Sequence, residues 1–276
     1  MNKSFLFLCC LLIFSTFIVK GQTQNHGAVS NAMGGVFTTS TDFWSSISNQ
    51  AGLAFAEQPT VGIGYDNEFL IKELATKYAG FMMPVNKSGA LGLNVSQFGF
   101  QLLSQTKIGL AYGMKFSENF SAGVQLDYFH LKLGDVYGST GAFTFETGAM
   151  YKLNTKWILG AHLFNPVMAK LADYNDERMT TIISAGVSYL VSDQVQFAAE
   201  VEKTIENKPS VKLGIDYDIR KFLNLRIGAA TKPTRLSFGF GLNFGNFQLD
   251  LAGSYHERLG FSPSTGIVYK FSNSEK

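Results

Sequence analysis

The sequence predicts an all-β fold, namely a transmembrane up-and-down antiparallel β-barrel of about 14 strands. Three observations predict it. Apolar residues alternate with small or polar residues, with a period of two, from about residue 55 to the end of the chain. Every second connection between the alternating stretches is a tight turn. An export-type N-terminus precedes them, and because no later apolar stretch could span a bilayer as a helix, a membrane-embedded chain has to close as a barrel.

The first 21 residues are typical of a secretory signal peptide. Lys3 supplies the positive charge, an apolar stretch covers residues 5–19, and small residues precede a cut after Gly21. Cys9 and Cys10 lie inside the apolar stretch and are the two cysteines of the sequence. We therefore expect a mature chain without cysteine, which excludes disulfide frameworks and thiolate metal or redox sites.

The alternation defines each strand of the predicted barrel, which we place at residues 58–271, before a short tail at 272–276. In the strand at 234–244, for example, Leu236 and Phe238 share one face and Ser237 and Gly239 the other. A soluble sandwich also alternates, but a face this rich in Phe and Leu suits lipid contact better. The predicted strands are 59–66, 74–84, 89–98, 105–116, 119–133, 141–152, 156–164, 180–191, 194–203, 209–218, 222–230, 234–244, 246–255 and 262–271.

The connections alternate in length along the chain. The short ones have the sequences VNKSG, SEN, LNTK, SDQ, IRK and FGN, and the longer ones include NEFLIKE, GFQLLSQ, GDVYGSTG and NPVMAKLADYNDERM. Short turns at one end and longer loops at the other are typical of outer-membrane barrels. Aromatic residues cluster near the short turns, as in an interfacial girdle. They are Phe116, Phe120, Tyr151, Trp157, Tyr217, Phe222, Phe244, Phe247, Tyr269 and Phe271.

Charged residues that alternate with lipid-facing positions are predicted to point into the lumen. A charge on the lipid face near the bilayer midplane costs about 2–4 kcal/mol, so the lumen is the favourable side. The mixed signs predict a paired network that braces the barrel and holds the N-terminal segment, with no ring of one sign that would indicate an ion pore. The predicted luminal charges are Lys107, Lys115, Asp127, Glu146, Glu200, Lys212, Asp216, Arg226, Arg235 and Asp250.

The segment at residues 22–57 contains the sequence GAVSNAMGGVFTTSTDFWSSISNQAGLAF. This stretch resembles the N-terminal motif of the FadL-like outer-membrane barrel superfamily, and within it the PorV/PorQ-like branch. Two positions depart from the motif, because Phe43 stands where it has a second Asp and Gln50 where it has Pro. The resemblance implies a fourteen-strand barrel with this segment inside it as a hatch, whereas the alternative is an exposed flexible lead. The matching residues are Gly27, Ala28, Met33, Gly34, Gly35, Phe37, Asp42, Asn49, Ala51, Gly52, Leu53 and Ala54.

No pattern in the sequence indicates catalysis, and we expect neither a cofactor nor a metal. The four histidines lack metal-binding spacing, and no nucleophile elbow is present. His162 with Asn165 lacks a well-placed serine to complete a catalytic site. The acidic loop at 172–178 suits a solvated loop better than a calcium site. A net charge of +2 gives no reason to expect a nucleic-acid partner.

The resemblance implies two functions for a protein of the Gram-negative outer membrane. The first is a non-enzymatic accessory subunit of protein secretion or surface export, type IX-like, with a larger secretion-channel protein as partner. The alternative is a FadL-like channel for the uptake of hydrophobic small molecules, such as long-chain fatty acids, with the ligand in the lumen. Short predicted loops favour the first; a structural barrel without a transport role is a third reading. Outer-membrane lipids are the surroundings in each case.

Overall fold

The computed structural model describes residues 26–134, 138–171, 178–205 and 207–272. These residues form a closed barrel of fourteen antiparallel strands, in which each strand pairs with its sequence neighbours and β1 pairs with β14. The transmembrane up-and-down barrel predicted from the alternation is therefore present. The strands are β1 Thr60–Asn67, β2 Ala75–Asn86, β3 Gly89–Phe100, β4 Leu103–Lys115, β5 Phe120–Leu133, β6 Ser139–Lys152, β7 Trp157–Phe164, β8 Ile182–Ser192, β9 Val195–Thr204, β10 Ser210–Arg220, β11 Leu223–Thr231, β12 Thr234–Phe244, β13 Phe247–His256 and β14 Gly260–Lys270.

Short helices occupy the N-terminal part and one loop. Helix α1 is Gly27–Ala32, and 3₁₀ helices cover Phe43–Ser46, Gln50–Phe55, Glu68–Leu70 and Lys72–Leu74. None of the helices within the described ranges has the length and apolar character needed to cross a membrane. The predicted signal peptide at 1–21 lies outside the described residues.

The two faces of the wall follow the predicted parity. On β12, Leu236 and Phe238 are exposed on the outside, while Ser237, Gly239 and Gly241 are buried on the inside. Because side chains on a strand alternate between faces, a slip of one residue would put this apolar set into the lumen. The pairing of Ile227 with Phe238 on the outer face keeps β11 and β12 in register.

The connections differ from the predicted alternation of short turns and longer loops. The stretch GFQLLSQ, expected to be a loop, continues the strands: β3 ends at Phe100 and β4 begins at Leu103, leaving a two-residue turn. β11 and β12 are likewise joined by two residues, Lys232 and Pro233. The reason is that the backbone hydrogen bonds between neighbouring strands continue to the edge of the barrel, so residues such as Phe100 and Leu103 are still paired next to the turn. The connection between β7 and β8 is the long one, at residues 165–181.

Aromatic side chains lie on the outer surface near the short turns. The rings of Trp157 and Tyr189 are tilted against each other with centroids 4.5 Å apart, and the Phe247 ring lies 4.7 Å from that of Tyr269. Phe244 is also exposed there, beside the turn between β12 and β13. This arrangement places amphipathic and apolar rings where an interfacial girdle would contact lipid headgroups.

Candidate functional site

The N-terminal segment, residues 26–56, passes through the lumen of the barrel. Phe37, Trp44 and Leu53 are at most 2% exposed, as expected for side chains enclosed by a wall on all sides. The segment contacts strands around the ring: α1 lies against β11–β14, and the 3₁₀ helix Gln50–Phe55 against β3–β6. It therefore occupies the interior of the barrel.

Inward-facing glycines of the wall create the room for this segment. Gly148 faces the side chain of Asn49, and Gly160 faces the backbone of Thr38. In both cases a Cβ atom would collide with the segment. Glycine at these positions lets the backbone of the segment approach the wall closely, which explains why so many of the inward-facing positions on the strands are small residues.

The polar residues of the motif form hydrogen bonds within the N-terminal segment and fix its conformation. Asp42 accepts a 2.8 Å hydrogen bond from the backbone N–H of Trp44, which caps the first 3₁₀ helix. Asn49 caps the second by accepting from Ala51 N at 3.1 Å, and its amide donates to Thr38 O at 2.5 Å. The bond from Asn49 to Thr38 joins two turns of the segment that are eleven residues apart.

The remaining motif residues pack against neighbours. Gly34 has φ +72° and touches the backbone of Ala229, and Gly52 lies against Ser40 O, where a side chain would not fit. Gln50, which replaces the proline of the motif, donates to Glu146 Oε2 at 3.1 Å. The departure from the motif therefore supplies a link to the wall. Met33, Phe37, Ala51 and Leu53 are buried, and Gly35 is half-buried beside Lys212.

Three of the predicted luminal cations each lie between two carboxylates. Lys107 Nζ lies close to Glu146 Oε1 and 3.7 Å from Asp127 Oδ1. Arg226 lies 3.1 Å from Asp216 and 2.8 Å from Asp250. Buried pairs of this kind contribute little net stability but are costly to break, because removal of one partner leaves an uncompensated charge.

The third such cation connects the wall to the N-terminal segment. Lys212 Nζ lies 3.0 Å from Glu200 and 2.7 Å from Glu202, and it donates to Gly35 O at 3.0 Å. The second oxygen of Glu200 accepts hydrogen bonds of 2.9 Å from the backbone N–H groups of Phe37 and Thr38. This charge cluster therefore anchors the middle of the segment.

Several partners in these clusters were not predicted. Glu202 shares the strand and the inward face of Glu200, so parity alone could have found it. His162 Nε2 lies 3.1 Å from Glu146 Oε2, which assigns it to the charge network. Glu68, on the loop after β1, pairs with Arg235 at 3.1 Å, a contact that only the three-dimensional arrangement reveals. Lys115, predicted to be luminal, has its ammonium 4.6 Å from the Phe55 ring centroid.

Two titratable groups of the N-terminal segment have shifted pKa values. Burial, with the positive charge of Lys212 nearby, lowers the pKa of His26 well below its usual value. The His26 ring stacks on Phe37 with centroids 3.8 Å apart. Burial raises the pKa of Asp42, against the stabilising hydrogen bond from Ser40. Docking in the lumen thus disfavours the charged form of both side chains.

An apolar cluster fills the lumen beneath the loop between β7 and β8. Asn165, at φ 50°, fixes this loop by donating to Met179 O at 2.7 Å and accepting from Thr144 Oγ1 at 2.7 Å. Ala169 and Leu171 of the loop pack on the cluster. The result is a buried apolar core near the loop end of the barrel. The buried members of the apolar cluster are Phe129, Ala142, Phe164, Met179 and Ile182.

A polar cavity of about 70 Å³ lies on another side of the lumen, between the N-terminal segment and the loop ends of β1 and β12–β14. Its lining includes the ion pair of Glu68 with Arg235 and the carboxylate of Asp66, which accepts hydrogen bonds from Asn31, Tyr78 and Ser264. No group of histidine and acidic side chains in the described part of the chain could hold a metal ion. The other lining residues are Gly34, Gly35, Asn67, Ser237, Ser254, Ser262 and Pro263.

Comparison with known proteins identifies the fold. No family model matches the sequence, and no curated protein sequence matches it. Among solved structures, the chain is similar to CymD, a monoaromatic hydrocarbon channel, with 15% identity and a TM-score of 0.72 over 91% of this chain and 99% of that chain. It is also similar to the Pseudomonas putida toluene transporter TodX, with 13% identity and a TM-score of 0.68 over 89% of this chain and 96% of that one.

A Pseudomonas aeruginosa FadL homologue gives 14% identity and a TM-score of 0.65 over 91% of this chain and 99% of that chain. At such low identity these likenesses establish the shared fold, a FadL-like barrel, over most of the chain's length.

Proposed function

We propose that the chain is a non-enzymatic outer-membrane channel for small hydrophobic molecules, such as monoaromatic hydrocarbons or long-chain fatty acids. The observation that carries this proposal is the barrel shared with CymD and TodX over about nine-tenths of the chain. The apolar cluster supports it, since the buried side chains of Phe129, Phe164 and Met179 make the loop end of the lumen apolar. The N-terminal segment acts as the hatch that has to move for passage.

The secretion-accessory function, the first hypothesis from the sequence, is supported by the N-terminal motif and by the short predicted loops. The structural likenesses favour the channel instead. Co-purification of the full chain with a larger secretion-channel protein, together with absence of uptake, would reverse this order.

The test is uptake of radiolabelled toluene and oleate by a Gram-negative host that lacks its own channels for them. We expect the full chain to raise the uptake rate several-fold. Met179→Asp, which places a charge in the apolar cluster, should abolish the gain. Met168→Asp is the matched control, because Met168 lies on the same loop and is 42% exposed. Uptake equal to that of the empty host, with the folded barrel present in the membrane, would contradict the proposal.

A further inference from the structure

The inward-facing residues of β12 belong to two polar regions of the lumen, and a glycine lies between these regions. Starting at the loop end, its inward residues are Arg235, Ser237, Gly239, Gly241 and Asn243. Arg235 and Ser237 line the polar cavity, whereas Gly241 lies beside the Arg226–Asp250 pair. Inward positions on one strand are about 7 Å apart, so the polar regions are separated by one position, Gly239.

The N-terminal segment closes this gap with small residues. A Cβ atom at Gly239 would lie 2.7 Å from Cβ of Ala32, and one at Gly34 would lie 2.7 Å from the backbone N of Ala229. Gly228 also contacts Met33 and Gly34. We call these contacts the seal. It is formed by backbone and a single methyl group, with no ion pair across it among the described residues.

The polar cavity lies on the loop side of the seal, which we call above it, and it contains polar atoms without a hydrogen-bond partner among the described residues. Asn67 Oδ1 and Arg235 Nε are buried atoms without a hydrogen-bond partner in the described ranges. Ser237, which also lines the cavity, is 6% exposed. Buried polar groups of this kind are normally paired with protein, water or a solute, so the cavity is built to hold polar contents. Its volume of about 70 Å³ suffices for several water molecules.

Negative charge is in excess on both sides of the seal. Above it, two carboxylates, those of Asp66 and Glu68, line the cavity with one guanidinium, that of Arg235, which pairs with Glu68. Below it, Asp216 and Asp250 share Arg226. A pathway lined with surplus carboxylates in a confined low-dielectric space concentrates cations and repels anions.

We infer that the wall formed by β11–β14 and β1 carries a hydrophilic route for small monovalent cations, closed by the seal of Ala32–Gly34 on Gly228 and Gly239. This function goes beyond the uptake of apolar molecules, which we assign to the apolar cluster on another side of the lumen. The route opens when the N-terminal segment moves away from the wall, and it conducts hydrated cations in preference to anions.

The first experiment measures the charge of the cavity with the seal closed. The two cysteines of the sequence lie at residues 9 and 10, in the predicted signal peptide, so Ser237→Cys gives one reactive thiol in the mature chain. We expect a methanethiosulfonate with a trimethylammonium group to react at least tenfold faster than the sulfonate analogue. Ser188→Cys, which replaces a fully buried serine on β8, is the control and should react with neither. Equal or reversed rates at position 237 would overturn the inference.

The second experiment opens the seal in the full chain, reconstituted in planar bilayers under a tenfold KCl gradient. Gly34→Val and Gly228→Ala push the segment and the wall apart from opposite sides, so either one serves if the other does not fold. We expect at least a tenfold rise in conductance and a reversal potential on the cation side of zero. Unchanged conductance, or a reversal potential at zero or on the anion side, would overturn the route.

Charge substitutions then locate the selectivity. In the opened background, Glu68→Gln should move the reversal potential towards zero. Asp127→Asn is the matched control, because Asp127 also pairs with one luminal cation, Lys107, but lies on β5, away from the route. Equal shifts in the two variants would show that the cation preference does not arise at the cavity, which would contradict the inference.

Discussion

The carboxylate of Glu200, on the inner wall, accepts a 2.9 Å hydrogen bond from the backbone N–H of Thr38 in the N-terminal segment. The same oxygen accepts from Phe37, while the other oxygen faces Lys212. A wall residue therefore binds the backbone of the segment directly, and the segment's position depends on a charge that belongs to the barrel.

Glu200→Gln should loosen the segment without unfolding the barrel. Hydrogen bonds to a charged group are worth about 1.5–3 kcal/mol each, and the amide retains part of them, so we expect docking to weaken by about 2 kcal/mol. Hydrogen exchange of peptides from residues 26–56 should accelerate by about 30-fold. Glu202→Gln is the control, because it removes the other carboxylate beside Lys212, and Glu202 makes no hydrogen bond to the segment. Equal acceleration of exchange in the two variants would refute the anchoring role of Glu200.

Gly148→Val should prevent the segment from docking. A Cβ atom at this position would collide with the Asn49 side chain, which is held by bonds to Ala51 and Thr38. The barrel should still show heat-modifiable migration on a gel, while limited proteolysis cuts within residues 26–56. Gly245→Asn is the control, since that turn glycine has no neighbour within 4 Å of an added Cβ and Asn tolerates its φ of +58°. If residues 26–56 resisted the protease equally well in Gly148→Val and in the control, the contact of Gly148 with Asn49 would not be needed for docking.

Docking of the segment should weaken as the pH falls below about 6.5. The lumen lowers the pKa of His26, so the undocked segment, with a histidine pKa of about 6.5, binds a proton that the docked one does not. Above that pH both states are neutral at this position, and docking does not change. Emission of Trp44 in a Trp157→Phe background reports undocking, and His26→Phe should flatten its pH dependence.

Asp42 acts in the opposite direction, because its raised pKa lets the docked segment take up a proton before the undocked one. Asp42→Asn should therefore steepen the loss of docking at low pH. A profile that is flat from pH 7.5 to 5 in both the wild type and this variant would refute the role of His26.

The two tryptophans should respond differently to quenchers placed in the lipid. Trp157 is 40% exposed on the outer wall, whereas Trp44 is 2% exposed inside the lumen. In vesicles with lipids brominated near the headgroup, the emission of a Trp44→Phe variant, which reports Trp157, should be quenched strongly. The Trp157→Phe variant should be quenched little. Equal quenching would be incompatible with a luminal position of Trp44.

Arg226→Leu should destabilise the barrel by about 3–5 kcal/mol, because it leaves Asp216 and Asp250 without their shared cation. The midpoint of urea unfolding in lipid, followed by gel migration, measures the loss. Arg226→Lys keeps the charge but loses the forked donor, so it should give an intermediate midpoint. An unchanged midpoint in Arg226→Leu would exclude a bracing role for this pair.

Local alternation was enough to predict the barrel, since the inward or outward side of a residue depends only on its parity within a strand. Leu236, Ser237 and Phe238 illustrate this. Parity could not predict the loop at Gln101, where pairing continues to the edge, nor the contact of Glu68 with Arg235, which are far apart in sequence. The mixed signs of the luminal charges indicated pairing, but the sharing of one cation by two carboxylates depends on strand register and on the path of the segment.

Closure of the ring by β1 and β14 has a consequence for assembly. β1 follows the N-terminal segment directly in the chain, and β14 lies at the opposite end of the sequence. During export the contents of the barrel thus arrive before any of its wall, and the strand that completes the wall arrives last. The chain is consequently ordered so that the cylinder can be wrapped around material already present, and threading through a finished opening is not required.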